Sequence, residues 1–307
     1  IRPQSGQNAP MNQDSSIYAI TGITGQVGGT VARTLLSAGN SVRAVVRDAN
    51  KGAEWKRQGC ELAIAEMNDA EALTKAFAGA QAVFILLPPF FAPTPGFPEA
   101  KAVIAAVKAA IITSKPAKVV ALSTVGAQAK QTNLLTQLQL LEQSLSELAM
   151  PVAFLRAAWF IDNAAWDIES AKRGGVISSF LQPLNKTWPM VATADVGRVA
   201  AELLEQSWTG RKIVELEGPR RISPNDIAAT FANLLGRPVR AEAVPRDAWA
   251  GLFADRAGGY VEPRIAMLDG FNEGWICFES DEAYTMKGNV ALETVLRNLL
   301  AKDLSHS

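Results

Sequence analysis

A glycine-rich turn is the part of this chain whose residue types and spacing point most directly to chemistry. Gly22, Gly25 and Gly28 recur every three residues, after the apolar run 17–20 and before an amphipathic segment. A strand that ends in such a turn and continues as a helix directs backbone N–H groups and the positive end of the helix dipole at one point. A pyrophosphate fits that point, so the turn predicts a dinucleotide site. Its expected contact residues are Gly22, Thr24, Gly25, Gln26, Val27 and Gly28.

Each glycine of the turn has a separate predicted role. Gly22 permits the tight turn, Gly25 lets a phosphate approach the backbone, and Gly28 lets the helix pack on the strand. Three glycines at this spacing also occur in plain turns before helices, so the turn alone is a weak signal. The following segments favour the nucleotide interpretation, because 27–35 has apolar residues at helical spacing and 41–46 is strand-like, which completes a βαβ unit.

Two cations follow the second strand of this unit. NAD-binding proteins place an acidic residue there for the ribose hydroxyls, whereas this chain has Arg47, with Lys51 one helical turn later. Such cations predict a 2′-phosphate and therefore NADP (NADPH) as the cofactor. Two alternatives stay open at this point: the cations could be ordinary solvated charges, and Asp48 could serve as an NAD-type carboxylate.

Length and charge limit the class of protein. The 307 residues, 48% of them hydrophobic, suffice for one large α/β domain or for such a domain with a smaller lobe. Thirty basic and thirty acidic residues give a net charge of zero, which argues against contact with nucleic acid or an anionic membrane. No apolar run is long enough to span a bilayer. Cys60 and Cys277 stand far apart, so no disulfide framework or zinc site is implied and a cytoplasmic location is predicted.

Short apolar runs alternate with helix-sized segments along the first half of the chain, at 61–65, 82–87, 119–122 and 152–155. This alternation predicts an α/β fold, a doubly wound parallel sheet of Rossmann type, with a smaller C-terminal substrate lobe. The carboxyl ends of the strands would then form the ligand-binding edge. The predicted divisions are a flexible arm or tag remnant at 1–15, an NADP-binding Rossmann domain at 16–156, and a mixed α/β part at 157–307, of which about 190–218 returns to the Rossmann sheet.

Three segments resemble the NmrA-like family, whose members are atypical short-chain dehydrogenases/reductases. They are the glycine-rich turn 21–28, the stretch 45–48 with Lys51, and the segment 155–163. The resemblance covers nearly everything after Met11. It implies that the arginine after the second strand holds the 2′-phosphate of NADP. It also implies that one loop lies beside the nicotinamide: Ala157, Ala158, Trp159 and Phe160.

The resemblance implies two further contacts with the dinucleotide. Leu86, Leu87 and Pro88, which end the fourth strand, would border its adenosine side. Ser123 and Thr124, which end the fifth strand, would lie near the nicotinamide ribose. A helix cap without any ligand is an equally good interpretation of these two hydroxyls.

The usual acid–base pair of short-chain dehydrogenases is missing. Those enzymes use Tyr-x-x-x-Lys, yet none of Tyr18, Tyr260 and Tyr284 is followed by lysine four residues later. Because His306 is the single histidine, a Ser-His-Asp triad and a histidine metal site are excluded. No catalytic residue and no metal ligand is therefore predicted. Helix-start charge and solvation account for three carboxylates near the predicted loop: Asp162, Asp167 and Glu169.

Two functions agree with these observations. The first is an NADPH-dependent oxidoreductase that transfers hydride to a quinone-like or other conjugated apolar acceptor, which takes its proton from water. The alternative is a non-catalytic NADP(H)-binding redox sensor that acts through a protein partner. The missing proton donor favours the sensor, whereas apolar residues near the predicted site favour a small aromatic substrate, unless they belong to the core: Pro88, Pro89, Phe90, Phe91, Trp159, Phe160 and Trp188.

Overall fold

The computed structural model describes residues 16–257 and 260–306, so the predicted arm at 1–15 lies outside the described residues. Eight strands form one parallel sheet in the order β3-β2-β1-β4-β5-β6-β10-β12, and two small parallel pairs, β7 with β9 and β8 with β11, lie beside it. The strands are β1 Ile17–Ile20, β2 Ser41–Val46, β3 Glu61–Ile64, β4 Ala82–Ile85, β5 Lys118–Thr124, β6 Val152–Ala157, β7 Trp159–Phe160, β8 Val176–Ser179, β9 Met190–Val191, β10 Arg211–Glu217, β11 Arg240–Ala243 and β12 Met286–Lys287.

Helices connect these strands and cover the large sheet. The α-helices are α1 Gln26–Ser37, α2 Ala49–Arg57, α3 Ala70–Phe77, α4 Pro98–Ser114, α5 Thr136–Leu145, α6 Ile168–Gly174, α7 Thr193–Glu205, α8 Pro224–Leu235, α9 Trp249–Ala257, α10 Glu262–Glu273 and α11 Leu292–His306. Short 3-10 helices span Ile161–Asp167, Arg246–Ala248 and Glu282–Tyr284. No helix within the described residues combines the length and the hydropathy needed to cross a membrane.

The two faces of the sheet bury separate apolar cores, which explains the apolar strand sequences. Successive residues of β1 alternate between the faces: Tyr18 and Ile20 belong to one core and Ala19 to the other. Every residue of β4 and β5 is buried, as expected for a parallel sheet with helices on both sides. The predicted doubly wound α/β fold is confirmed by this order of strands.

The direction of winding reverses between β1 and β4, and this reversal positions the site. From β1 the chain builds outward to β2 and β3, then returns to place β4 on the other side of β1. Thr21 ties the two strand ends together, because its N–H and hydroxyl donate to Phe84 O at 3.1 and 3.0 Å while its Oγ1 accepts from Leu86 N at 2.9 Å. Ligands of open α/β sheets bind in the crevice at such a reversal.

Strands of the later part of the chain also join the large sheet. β10 pairs with β6 and β12 pairs with β10, whereas the short β9 pairs with β7 outside that sheet. The other small pair, β8 with β11, packs with α8. The division of the chain into units ending near 156 stays a prediction.

Candidate functional site

The glycine-rich turn has the close contacts that require glycine. Gly22 lies in the left-handed region with φ of +65°, and Gly25 N donates to Gly22 O at 3.0 Å. A Cβ on Gly28 would lie only 2.4 Å from Gly22 O and 2.6 Å from Gly22 C. The close approach at Gly28 is therefore made to the backbone of the turn itself, and the predicted packing of helix on strand is corrected in this respect.

The first turn of α1 presents unpaired backbone donors to the crevice. No side chain caps α1 at Gly25, and its first turn contains no acidic residue, whereas Asp48 caps α2 and Asp69 caps α3. The first N–H groups of a helix have no partner inside it, so an uncapped start is suited to an anion.

Side chains of the turn do not all face the crevice. Thr24, Gly25 and Gln26 are exposed, but the Val27 side chain is buried in the core beneath α1. Only the backbone of Val27 is placed to meet a ligand, because helical spacing directs its side chain inward.

Unpaired positive charge stands near the end of β2. Arg47 and Lys51 are exposed. The neighbouring Arg43 and Arg57 are paired with glutamates, whereas among the described residues neither Arg47 nor Lys51 has an ion-pair partner. The carboxylate of Asp48 accepts the backbone N–H two residues later at 2.8 Å, where it caps α2. This bond gives Asp48 a structural role, and within the described part of the chain it leaves Arg47 and Lys51 without an ion-pair partner.

The three residues after β4 take different positions. The Leu86 side chain covers the turn, since its Cβ and Cδ1 lie 3.2 Å from where a Cβ of Gly22 would be. Leu87 is buried in the core on the opposite face and Pro88 is half-buried. Leu86 is thus brought to the turn, whereas the side chain of Leu87 is not.

The two hydroxyls that end β5 are buried and bonded within the protein. Ser123 donates to Oε1 of Glu142, and Thr124 donates to Val125 O at 3.1 Å. Neither hydroxyl caps a helix, so the alternative of a helix cap does not describe them. Glu142 lies on α5, the helix on which a Tyr-x-x-x-Lys pair would be expected.

Arg156 is the centre of a buried charge network below these strand ends. Its Nε and Nη2 donate to the two carboxylate oxygens of Glu142 at 2.9 and 2.8 Å, Nη1 lies 3.6 Å from Glu215, and a further pair is made with Glu279. Ser123, Arg156 and Glu215 are level with one another across β5, β6 and β10. Burial lowers the pKa of Arg156, but Glu142 and Glu279 outweigh it and the net pKa is raised.

The predicted nicotinamide loop divides into a buried and a half-buried part. Ala157 O accepts from Val125 N at 2.8 Å and Ala158 N donates to Leu216 O at 2.9 Å, so both alanines are structural parts of the sheet edge. Trp159 and Phe160 are half-buried, and Trp159 meets the ring of Phe271 edge-on at 5.3 Å. These two aromatic residues are therefore the part of the loop placed to meet a ligand.

One predicted acceptor-lining residue belongs to the core. Trp188 is buried and its indole N–H donates to Phe271 O at 3.0 Å. Its ring is consequently fixed within the protein, in line with the core alternative. Phe91, by contrast, is 49% exposed.

Comparison with known proteins decides the family. The model of the NmrA-like family matches residues 14–273. The chain belongs to the NmrA-like family. This confirms the resemblance that was based on the turn, the β2 end and the segment after β6.

Relatives of this NmrA-like protein include reductases. It is 26% identical over 229 residues to an NAD(P)H azoreductase of Xenophilus azovorans, covering 73% of this chain and 76% of the relative. The structure of Citrobacter sp. triphenylmethane reductase complexed with NADP(H) has a TM-score of 0.74 at 21% identity and 92% and 99% coverage of the two chains. An NADPH-dependent quinone oxidoreductase complexed with NADPH from Escherichia coli has a TM-score of 0.76 at 20% identity with the same coverage. These solved structures share the fold of the NmrA-like chain.

The structure brings two further polar residues of this NmrA-like protein, Thr193 and Asp162, to the candidate site. The sequence did not indicate Thr193, and it indicated only helix-start charge or solvation for Asp162. Thr193, at the start of α7, contacts both Gln26 in the turn and Asp162 after the nicotinamide loop. Asp162 accepts from Thr193 N at 2.9 Å, so it caps α7, a helix that begins 31 residues later in the chain. Helix-start charge does account for Asp162, but the helix is a distant one that the local sequence does not reveal.

The carboxyl of Asp167, at the end of the 3-10 helix Ile161–Asp167, should make the stability of this NmrA-like chain depend on pH. Burial raises the pKa of its carboxyl from 3.8 to about 7. Between about pH 4 and pH 7 the native state therefore holds a proton that the unfolded state has lost. The free energy of unfolding consequently falls as the pH rises through this range. Asp167→Asn should raise the free energy of unfolding by about 1–4 kcal/mol at pH 8 and by less at pH 5.

Urea unfolding of the wild type and the Asp167→Asn variant at both pH values checks this expectation. The exposed Asp247, in the 3-10 helix Arg246–Ala248, provides a matched Asp→Asn control, which should change stability by under about 0.5 kcal/mol at either pH. A gain for Asp167→Asn that is equal at pH 5 and pH 8 would contradict the burial argument.

Proposed function

We propose that this NmrA-like protein is an NADPH-dependent reductase that transfers hydride to a flat, conjugated, apolar acceptor such as a quinone or a dye. The observation that carries the proposal is the start of α1 at the β1–β4 crevice, where the described residues provide neither a side-chain cap for the helix nor an ion-pair partner for Arg47 and Lys51. The names of the relatives support it, since they describe reductases of azo compounds, triphenylmethane dyes and quinones, and two of them mention NADP(H) or NADPH.

The residues present fit a phosphorylated dinucleotide. The backbone of the turn from Gly22 to Gly28 would hold the pyrophosphate, because a Cβ at Gly28 has no space and no side chain among the described residues caps α1. Arg47 and Lys51 would hold the 2′-phosphate by charge-assisted hydrogen bonds. NADPH, when bound, supplies the hydride, and the protein supplies binding and orientation.

The strand ends favour direct hydride transfer. Ser123 and Thr124 have their hydroxyls bonded to Glu142 and Val125, and α5 offers a carboxylate where a phenol would be needed. An acceptor that requires a protein proton donor is therefore poorly served. A quinone or dye is reduced by hydride first and can take its proton from water, and Trp159 and Phe160 would orient its flat ring.

A redox sensor that binds NADPH without turnover is the second candidate, and the bonded hydroxyls of Ser123 and Thr124 are the observation in its favour. Titration of the purified protein with NADPH and NADH, followed by tryptophan fluorescence, measures binding. Addition of a panel of quinones, azo dyes and triphenylmethane dyes, followed by nicotinamide absorbance, measures turnover. Oxidation of NADPH by any of these classes supports the reductase, and tight binding with no oxidation across the whole panel supports the sensor.

Arg47→Ala tests the choice of cofactor. The variant should lose about 1.5–3 kcal/mol of NADPH affinity, the usual value for a hydrogen bond to a charged group, whereas NADH affinity should hardly change. Lys56→Ala is the matched control, since it removes an exposed cation near the other end of α2. Equal losses for NADPH and NADH would overturn the assignment of Arg47 to the 2′-phosphate.

A further inference from the structure

Thr193 joins two parts of the crevice that are far apart in the sequence. It begins α7 and is only 6% exposed. Its hydroxyl oxygen lies 2.7 Å from Oδ1 of Asp162 and 2.9 Å from Oε1 of Gln26, so the single hydroxyl proton is shared between two acceptors. Gln26 is the first residue of α1, and Asp162 stands two residues after Phe160. The hydroxyl therefore bridges the phosphate turn and the aromatic loop.

The helix that carries Thr193 is held rigidly against α1. A Cβ on Gly197 of α7 would lie 2.5 Å from Cβ of Thr30 and 2.8 Å from Val27 O. The two helices thus approach each other as closely as a glycine allows. Since α7 cannot shift along α1 without a clash, a hydrogen bond from its first residue sets a fixed distance between the turn and the aromatic loop.

The bridge also fixes the position of the Asp162 carboxylate. One carboxylate oxygen accepts the Thr193 hydroxyl, and the other accepts Thr193 N at 2.9 Å. Both oxygens are directed at the positive end of α7, which stabilises the negative charge there. Without the hydroxyl one carboxylate oxygen loses its partner, and the link between the aromatic loop and the turn is broken.

We infer that Thr193 is a positioning residue of the proposed coenzyme site, which holds the aromatic loop at the correct distance from the phosphate turn. This inference rests on the proposed function. The adenosine half of NADPH would contact the turn and the β2 end, whereas the nicotinamide half would also depend on the aromatic loop. Loss of the bridge should consequently weaken binding of the whole coenzyme more than binding of its adenosine half.

Thr193→Val, which keeps the shape of the side chain and removes the hydroxyl, tests the inference. Binding of NADPH and of 2′,5′-ADP, the adenosine half with its phosphates, is measured by calorimetry. We expect the dissociation constant of NADPH to rise about 5- to 10-fold, the usual effect of one lost hydrogen bond, and that of 2′,5′-ADP to change less than about 2-fold. Thr193→Ser restores the hydroxyl and should restore the affinity for NADPH.

Thr113→Val is the matched control, because that hydroxyl bonds only to Ala109 O within α4 and is exposed. It should leave both dissociation constants unchanged. If Thr193→Val does not fold, Asp162→Asn removes the charge from the same bridge and should weaken NADPH binding, again without an equal effect on 2′,5′-ADP.

The outcomes separate the inference from the function on which it rests. Equal losses for NADPH and 2′,5′-ADP, or no loss for either, would overturn the role of Thr193 while leaving the coenzyme site intact. A wild-type protein that binds neither ligand would overturn the proposed function itself and the role of Thr193 with it.

Discussion

Gly28→Ala should weaken NADPH binding by between about 10- and 100-fold. The added Cβ would lie 2.4 Å from Gly22 O, 2.6 Å from Gly22 C and 2.9 Å from Ile23 N, all of them backbone atoms of the turn. Backbone cannot rotate away as a flexible side chain can, so the turn must move, and such overpacking costs about 1–3 kcal/mol. A displaced turn no longer directs its N–H groups at the phosphate, and binding of the coenzyme is lost with it.

Fluorescence titration with NADPH, together with a thermal melt to show that the variant is folded, measures this effect. Gly251→Ala is the control, because it is an exposed helical glycine of α9 with no heavy atom within 4 Å of the added Cβ. Alanine is the better helix former, so Gly251→Ala should bind NADPH normally and be more stable by up to about 1 kcal/mol. Normal NADPH affinity in a folded Gly28→Ala variant would show that the turn is not the phosphate site.

Arg156→Leu should lower the free energy of unfolding by about 3–5 kcal/mol, the expected effect of removing one partner from a buried ion pair. The side chains of Glu142 and Glu215 are only 11% and 4% exposed, so water cannot replace the guanidinium. Breaking the network also releases the carboxylate that holds Ser123. Because the free energy of unfolding of a typical domain is only about 5–15 kcal/mol, such a loss would remove a large part of the stability of the fold.

Urea unfolding at pH 7 measures this loss. The control is Arg173→Leu, whose partner is Glu169 and whose pair is exposed, at 84% and 64% for the two side chains. An exposed pair contributes under about 1 kcal/mol. If the two arginine variants lost equal stability, the buried network would not be what holds these strand ends.

Local patterns in the chain were sufficient for the fold. The runs at 61–65, 82–87, 119–122 and 152–155 became β3 to β6. The last three are apolar because strands buried on both faces must be so, whereas β3 lies at the edge of the sheet and is partly exposed. The glycine-rich turn lies between β1 and α1, as its position between a strand-like run and an amphipathic segment indicated. Both inferences depend on residues that are close in sequence, where spacing determines geometry.

Those local patterns did not predict which side chains of the candidate site face the crevice. Val27 and Leu87 were expected at the cofactor, yet their side chains lie in the two apolar cores. Near a strand end or at the start of a helix, adjacent residues face opposite ways, so a short motif mixes core residues with ligand-facing ones. Which of them faces the crevice depends on the layer packed against it.

The sequence by itself determined the βαβ unit, the family and the positive charge after β2, since each is a matter of residue type at short spacing. Only the tertiary structure decided the partners of the polar groups: Ser123 with Glu142, Arg156 with Glu215, and Thr193 with Gln26 and Asp162. The residues in these pairs stand between 19 and 167 positions apart along the chain. Their hydrogen bonds form because folding the sheet and packing α7 on α1 bring buried polar groups together, where each must find a partner in place of water.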